Sequence, residues 1–245
     1  SLKIAKKMII SAKKCGADAI KFQNFKAEDL VTTNAPKAPY QVRNTKNKGS
    51  QFNMLKRLEL KENYYFELLK YCKKYKIHFL SSVFDHDSVD FITKKLKINT
   101  IKIPSGEITN SLILNKLNLN KHKILLSTGM SNTIEIAKAI NLIAKKKIYS
   151  EKKPIKILNK KKLKKIYKNL TVLHCVTDYP VANKFANLNC ISSLNEIFKL
   201  NIGYSDHTQG LLAPIIAISK GAIVIEKHFT LDKKMKGPDH LASLN

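Results

Sequence analysis

Ile98-Asn-Thr-Ile-Lys102-Ile-Pro-Ser105-Gly-Glu107 sets the pattern of the whole chain. A short β-prone apolar run ends abruptly in a knot of polar, chemically capable side chains. The same grammar recurs along the sequence. Asp18 to Gln23 reads as a buried strand after an opening helix that stops near Cys15-Gly16. Ile77 to Ser81, Lys123 to Ser127, Leu170 to Cys175, Asn201 to Tyr204 and Ala222 to Glu226 are further strand-length apolar runs. Between them lie segments of helical period, near 61–76, 86–96, 110–117, 132–145, 187–199 and 210–220. Seven strands thus alternate with six helices, after one leading helix. Strand–helix alternation means parallel strands joined by crossover helices. The chain's 245 residues match one α/β barrel of about 250 residues. A closed barrel has eight strands. The expectation is a TIM (β/α)8-type barrel lacking its first strand and last helix, with residues 1–245 as one fragmentary domain. An open doubly wound sheet is the alternative, but no Gly-rich dinucleotide loop follows any strand.

Two regions break the rhythm. Residues 24–60 form a long polar connection with Pro36, Pro39 and Gly49 as breakers, a length often associated with function. Residues 145–169 are lysine-rich and of low complexity, and read as a solvated helix extension or insertion.

Composition narrows the classes. The net charge of +27 invites a nucleic-acid reading. Arg43 and Arg57 are the only arginines, however, and phosphate and base recognition usually recruits arginine forks. Abundant lysine, asparagine and isoleucine fit an AT-rich coding sequence, so the excess charge is read as solvated surface rather than a nucleic-acid interface. It still favours the approach of anionic substrates. No apolar run approaches the roughly 18 residues of a membrane span, and no secretory leader is evident. Cys15, Cys72, Cys175 and Cys190 form no CxxC pair, which suits a reducing, cytoplasmic setting; they read as core residues.

In an α/β barrel, chemistry gathers at the carboxyl ends of the strands. Here those ends carry Lys21 and Gln23; Ser81 and Ser82; Lys102, Ser105 and Glu107; Ser127 and Thr128; Thr177, Asp178 and Tyr179; Ser205, Asp206 and His207; and Glu226, Lys227 and His228. A lysine inside a buried strand is costly unless paired. With hydroxyls nearby, the expected partner of Lys21 and Lys102 is an anion such as phosphate; a solvent-facing strand edge is the plainer alternative. His207 and His228 end adjacent strands and could share a metal ion, or be structural. Asp239, in Gly237-Pro-Asp-His240, fits simple turn chemistry equally well.

Particular strings go further. Gly16-Ala-Asp-Ala-Ile-Lys-Phe-Gln23, Lys102-Ile-Pro-Ser-Gly-Glu107, Leu126-Ser-Thr-Gly-Met130, Gly203-Tyr-Ser-Asp-His-Thr208, Glu226-Lys-His-Phe-Thr-Leu-Asp232 and Gly237-Pro-Asp-His240 resemble the sialic acid synthase (N-acetylneuraminate synthase) family. They follow the family's order across nearly the whole chain. Leu173 to Val181, followed by Phe185-Ala-Asn-Leu188, looks closest to the bacterial branch that makes diacetylated legionaminic-type sugars. The resemblance implies a C–C bond-forming transferase that joins phosphoenolpyruvate to an N-acyl amino-sugar aldehyde, such as N-acetylmannosamine or a diacetylated dideoxyhexose. It implies that Lys21, Ser82, Lys102, Ser105 and Ser205 hold the phosphate and carboxylate. Thr177 replaces an asparagine of some members. His207 and His228 match ligands of Mn2+ or Mg2+. Gln23, Glu107, Tyr179 and Asp239 match positions near the sugar, with Asp239 and Glu107 as the catalytic candidates and Asp239 placed to handle protons. The family also carries a first strand with a glutamate-bearing end, and a C-terminal antifreeze-like domain from which a partner in the homodimer lends an arginine. Neither matches any part of these residues.

Overall fold

The computed structural model describes residues 1–245. The elements in order are α1 (Leu2–Lys14), β1 (Ala19–Asn24), α2 (Ala27–Leu30), α3 (Pro39–Thr45), α4 (Gln51–Leu58), α5 (Glu62–Lys74), β2 (His78–Val83), α6 (His86–Asp90), β3 (Thr100–Ile103), α7 (Ser111–Lys116), β4 (Lys123–Ser127), α8 (Thr133–Ile143), α9 (Lys160–Ile166), β5 (Leu170–Cys175), α10 (Asn189–Phe198), β6 (Asn201–Asp206), α11 (Leu212–Ser219) and β7 (Ile225–Lys227). All seven strands are parallel and lie in sequence order. Each strand therefore crosses over to its immediate neighbour, as in a singly wound barrel, and the doubly wound alternative falls. β1 and β7 form the two edges. Lys21 of β1 nevertheless reaches Glu226 of β7 at 3.1 Å, so the sheet curls until its edges face each other across a concave interior.

Strand alternation assigns the two faces. On the convex side, Ile101, Ile103, Leu126, Val172, Ile202 and Tyr204 are at most 2% exposed and pack beneath the helices. Each such aliphatic side chain contributes about 1.5–3 kcal/mol of burial free energy. Helix starts are written locally. Ser1 caps α1, Asp85 and Ser88 form a capping box on α6, and Asn132 with Glu135 forms one on α8. Gly16, at φ +81°, supplies the left-handed turn that ends the first helix and starts β1.

The strands fall within three residues of the sequence-based bounds. The two arrhythmic regions differ from expectation. The long polar connection of residues 24–60 carries three short helices, α2, α3 and α4. Residues 145–169 are not merely solvated. The Asn141 side chain accepts from the backbone N–H groups of Ile148 and Tyr149 and donates to the Tyr149 carbonyl. Tyr149 is fully buried, and its hydroxyl donates to the Phe198 carbonyl at 2.6 Å. Leu163 and Ile166 of α9 are buried while the intervening lysines face water. Of the cysteines read as core, Cys72 and Cys175 are buried, whereas Cys15 is exposed at the end of α1.

Candidate active site at the carboxyl rim of the sheet

The register fixes which side chains share the concave face. Gln23 lies opposite Ser82, and Ser82 opposite Lys102. Cys175 lies opposite Ser205, and Ser205 opposite Glu226. In parallel ladders, opposed residues point the same way, so all of these face the interior.

The lysines converge as their strand-end positions suggested, and they meet on Glu226, which the sequence placed at a strand end but did not pair with them. Lys102 is 3% exposed and Lys21 half-buried; their ammonium groups lie 3.5 and 3.1 Å from the two carboxylate oxygens of Glu226. Ser205 Oγ donates to the same carboxylate at 2.8 Å. Burial alone raises a carboxyl pKa. Here the charges of Lys102 and Lys21 and the Ser205 hydrogen bond outweigh burial and hold Glu226 well below the usual carboxylate range. Burial lowers the pKa of Lys102, against the opposing pull of Glu226. In this structure the two lysines meet an internal carboxylate. One signal could have found it: an acid at the inward parity of a strand that begins Ala222-Ile-Val-Ile225.

The imidazoles adjoin this cluster. The His207 and His228 rings lie 5.5 Å apart, and Tyr179 packs against both at 4.1 and 5.4 Å. His207 Nδ1 bonds the Val176 carbonyl. That contact makes Nδ1 the protonated nitrogen and leaves Nε2 its lone pair. Burial pushes His207 down to about 4, and burial with the charge of Lys21 and the neighbouring His207 pushes His228 down to about 3. Both rings are therefore neutral at pH 7, the form that binds a metal. Asp239 Oδ2 sits 3.8 Å from His228 Nδ1, its Oδ1 is buried without a partner, and burial raises its pKa to about 6. No three His, Cys, Asp or Glu side chains form a ready-made metal cage. Two neutral imidazoles on adjacent strand ends, beside an unsatisfied carboxylate oxygen, still fit an open site. Its remaining positions would go to water and substrate.

A second pocket of contacts surrounds Gly129. Its N–H donates to Ser105 Oγ at 2.9 Å, and Ser105 Oγ is 3.0 Å from Cys175 Sγ. A Cβ at position 129 would meet Thr177 Cγ2 at 2.7 Å and Cys175 Sγ at 2.8 Å. Only glycine lets these loops close. Ser82 Oγ and Ser127 Oγ are buried with no hydrogen-bond partner in the protein. Ser127 was visible as a strand-end serine but not singled out. Glu107 stands apart. It is half-buried, accepts from Asn110 Nδ2 at 2.7 Å, and has its pKa raised by burial and by Asp85. Gln23 is exposed at the tip of β1.

Helix α3 covers the rim, which the sequence did not reveal. Tyr40 packs on Tyr179 at 4.9 Å. Asn44 Nδ2 donates to the carbonyls of Tyr179 and Pro238, at 2.9 and 2.6 Å. Arg43 pairs with Asp178 at 3.5 Å. One short helix thereby joins the loops that carry Tyr179 and Asp239.

Residues 8–245 match the model of the NeuB family. The chain belongs to the NeuB family. Among relatives of this NeuB-family chain, an N,N'-diacetyllegionaminic acid synthase of Campylobacter jejuni is 46% identical over 243 residues, covering 99% of this chain and 67% of that protein. A protein of the same name from Legionella pneumophila is 41% identical over 244 residues, covering 100% of this chain and 64% of its own length. The chain thus spans about two thirds of the relatives it matches. The crystal structure of an N-acetylneuraminic acid (sialic acid) synthetase from Leptospira borgpetersenii, in complex with citrate, superposes with a TM-score of 0.79 at 28% identity. That match covers 100% of the NeuB-family chain and 73% of the other, and agrees with the barrel-type fold. No helix is long and apolar enough to cross a membrane.

Proposed function

We propose that this chain is the substrate-holding barrel of an enzyme that condenses phosphoenolpyruvate with an N-acylated amino-sugar aldehyde. The products are a nine-carbon, sialic-acid-like 2-keto acid and inorganic phosphate. One observation carries the reading: two lysines and two neutral imidazoles, distant in sequence, converge on one concave rim. The names of the two bacterial relatives favour a diacetylated legionaminic-type product.

In this reading Lys21 and Lys102 hold the phosphate or carboxylate of phosphoenolpyruvate, with hydroxyls from Ser82, Ser105 and Ser205. Thr177 lines the same wall. The lysines are held in place before the substrate arrives, so they offset its charge with little movement of their own. Glu226 shares those lysines and must move aside or stay hydrogen-bonded beside the anion. His207 and His228 are the residues that would hold a divalent ion, Mn2+ or Mg2+. Such an ion, when bound, polarises an aldehyde oxygen as a Lewis acid. The enol carbon of phosphoenolpyruvate bonds to the aldehyde carbon, and the aldehyde oxygen takes a proton. Water adds to the resulting cationic C2, loses a proton, and phosphate departs. Asp239, whose raised pKa lets it carry or release a proton near neutrality, is placed to serve these transfers. Tyr179, Gln23 and Glu107 are assigned to the sugar side, Glu107 as a second proton-handling group. The whole protein is taken as a homodimer, with a preceding strand and a C-terminal domain completing the site.

The test is phosphate release by the full-length protein. Release from phosphoenolpyruvate is expected only with both Mn2+ and an N-acylated hexosamine present, N-acetylmannosamine or a diacetylated dideoxy sugar. No product with any of these would refute the assignment.

A further inference from the structure

The opposite face of the same two strand ends carries a second ion pair, which no step above uses. Asp206 and Lys227 are directly opposed in the β6–β7 register. Asp206 is 0% exposed, and the Lys227 side chain 7%. Lys227 Nζ bonds Asp206 Oδ2 and also donates to the Thr208 carbonyl at 2.6 Å. Asp206 Oδ1 accepts the Thr208 N–H at 2.8 Å. These bonds tie the end of β6 to the end of β7 from beneath.

Each partner is the chain neighbour of an imidazole. Asp206 precedes His207, and Lys227 precedes His228. His207 and His228 directly follow the last residues of β6 and β7, so the Asp206–Lys227 bond fixes where the two imidazole-bearing backbones leave the sheet. The β6–β7 ladder ends at the Asp206–Lys227 pair, so beyond it the spacing of the two histidines rests on this bond and on loop contacts. A buried ion pair is also a poor way to gain stability, since desolvation offsets most of the attraction. Its directional bonds, however, admit one register and one separation.

We propose that Asp206 and Lys227 are positioning residues that set the distance between His207 and His228, and hence the affinity of that pair for a divalent cation. This rests on the reading that the two histidines share a metal ion. Partners that orient metal-binding histidines from behind typically matter by 10–100-fold in metal affinity.

The experiment measures Mn2+ binding to the full-length protein, by loss of the free-ion electron paramagnetic resonance signal, together with thermal melting. The double variant Asp206→Leu/Lys227→Met replaces the pair by apolar groups of similar size, a change that often preserves folding. It should melt near the unsubstituted protein yet bind Mn2+ at least about tenfold more weakly. The neutral bridge Asp206→Asn/Lys227→Gln can keep the inter-strand hydrogen bond and should regain most of that affinity. If the apolar pair does not fold, Lys227→Arg takes its place: the charge stays but the reach changes, and Mn2+ binding should weaken severalfold. A folded apolar or arginine variant that binds Mn2+ as tightly as the unsubstituted protein overturns the positioning role and leaves the metal reading standing. Failure of the unsubstituted protein to bind Mn2+ overturns the metal reading first, and this inference with it.

Discussion

Two groups of lysines in this chain have the same chemistry and opposite circumstances. Lys21 and Lys102 lie inside the curled sheet, held by a buried carboxylate and ringed by hydroxyls. The lysines of 145–169 crown a docked turn and α9, with their stems on the surface and their charges in water. Two shallow surface grooves, lined by residues such as Lys138, Lys145, Lys146 and Lys162, run along that second group. A count of charges ranks the surface segment first. Burial reverses the ranking, because a charge out of water interacts far more strongly with whatever replaces its hydration. The net charge of +27 is therefore a property of the surface, whereas the proposed chemistry rests on two cations that hardly change it.

The sharpest way to break this contrast is to remove one lysine of each kind. Lys102→Met should lower kcat/KM for phosphoenolpyruvate by about 10²–10³, the scale of losing one preorganised electrostatic contact. Steady-state kinetics on the full-length protein reads it. A loss below tenfold would mean that the buried lysine is not a substrate contact.

The next largest effect concerns Glu226. Glu226→Gln leaves two lysines facing one another without a counter-charge, and should destabilise the fold by about 3 kcal/mol in denaturant unfolding. Added phosphate should restore part of that loss by supplying the missing anion. Unchanged stability would show that the lysines do not depend on this carboxylate.

How much of this was legible beforehand depends on where the partner sits. Each strand end was readable, because alternation and an abrupt polar stop are local signals. Lys102 within Ile101-Lys-Ile103 betrayed itself by its neighbours. Glu226 did not, since its partners lie on β1 and β3, far along the chain, and an acid at a strand end is unremarkable alone. The cover made by Tyr40 and Asn44 was hidden for the same reason: residues 24–60 are polar and punctuated by proline and glycine, while the contacts that order them are tertiary. The turn at Tyr149 was masked by the lysines around it. Its organiser is a buried asparagine in α8 that helical periodicity counts only as polar.

Acid titration separates the two regions more gently. The ordinary histidine value is 6.5, and burial lowers His207 to about 4 and His228 to about 3. As pH falls below 6.5, the unfolded chain takes up protons at these positions while the folded metal-free protein does not, so stability is lost. Asp239 acts with the opposite sign: raised from 3.8 to about 6, it binds its proton more readily when folded, and partly offsets the loss in that window. The metal-free protein should therefore lose stability between pH 6.5 and 4 in denaturant melts. His207→Gln/His228→Gln should abolish that loss and leave only the shallower, opposite slope of Asp239. Replacing lysines of 145–169 should leave the loss unchanged.

The smallest effect completes the contrast. Lys161→Ala/Lys162→Ala/Lys165→Ala should change stability by less than about 0.5 kcal/mol and leave kcat/KM within about twofold at physiological salt, where exposed charges are screened. A larger kinetic effect would give the surface lysines a part in substrate capture.

The most direct measurement is a crystal structure of the full-length protein grown with Mn2+ and phosphoenolpyruvate, with anomalous diffraction recorded at the manganese edge. The account predicts one strong peak within bonding distance of both His207 and His228, and a phosphoenolpyruvate anion held by Lys21 and Lys102. A manganese peak away from the two imidazoles, or an anion bound only along the lysines of 145–169, would contradict it.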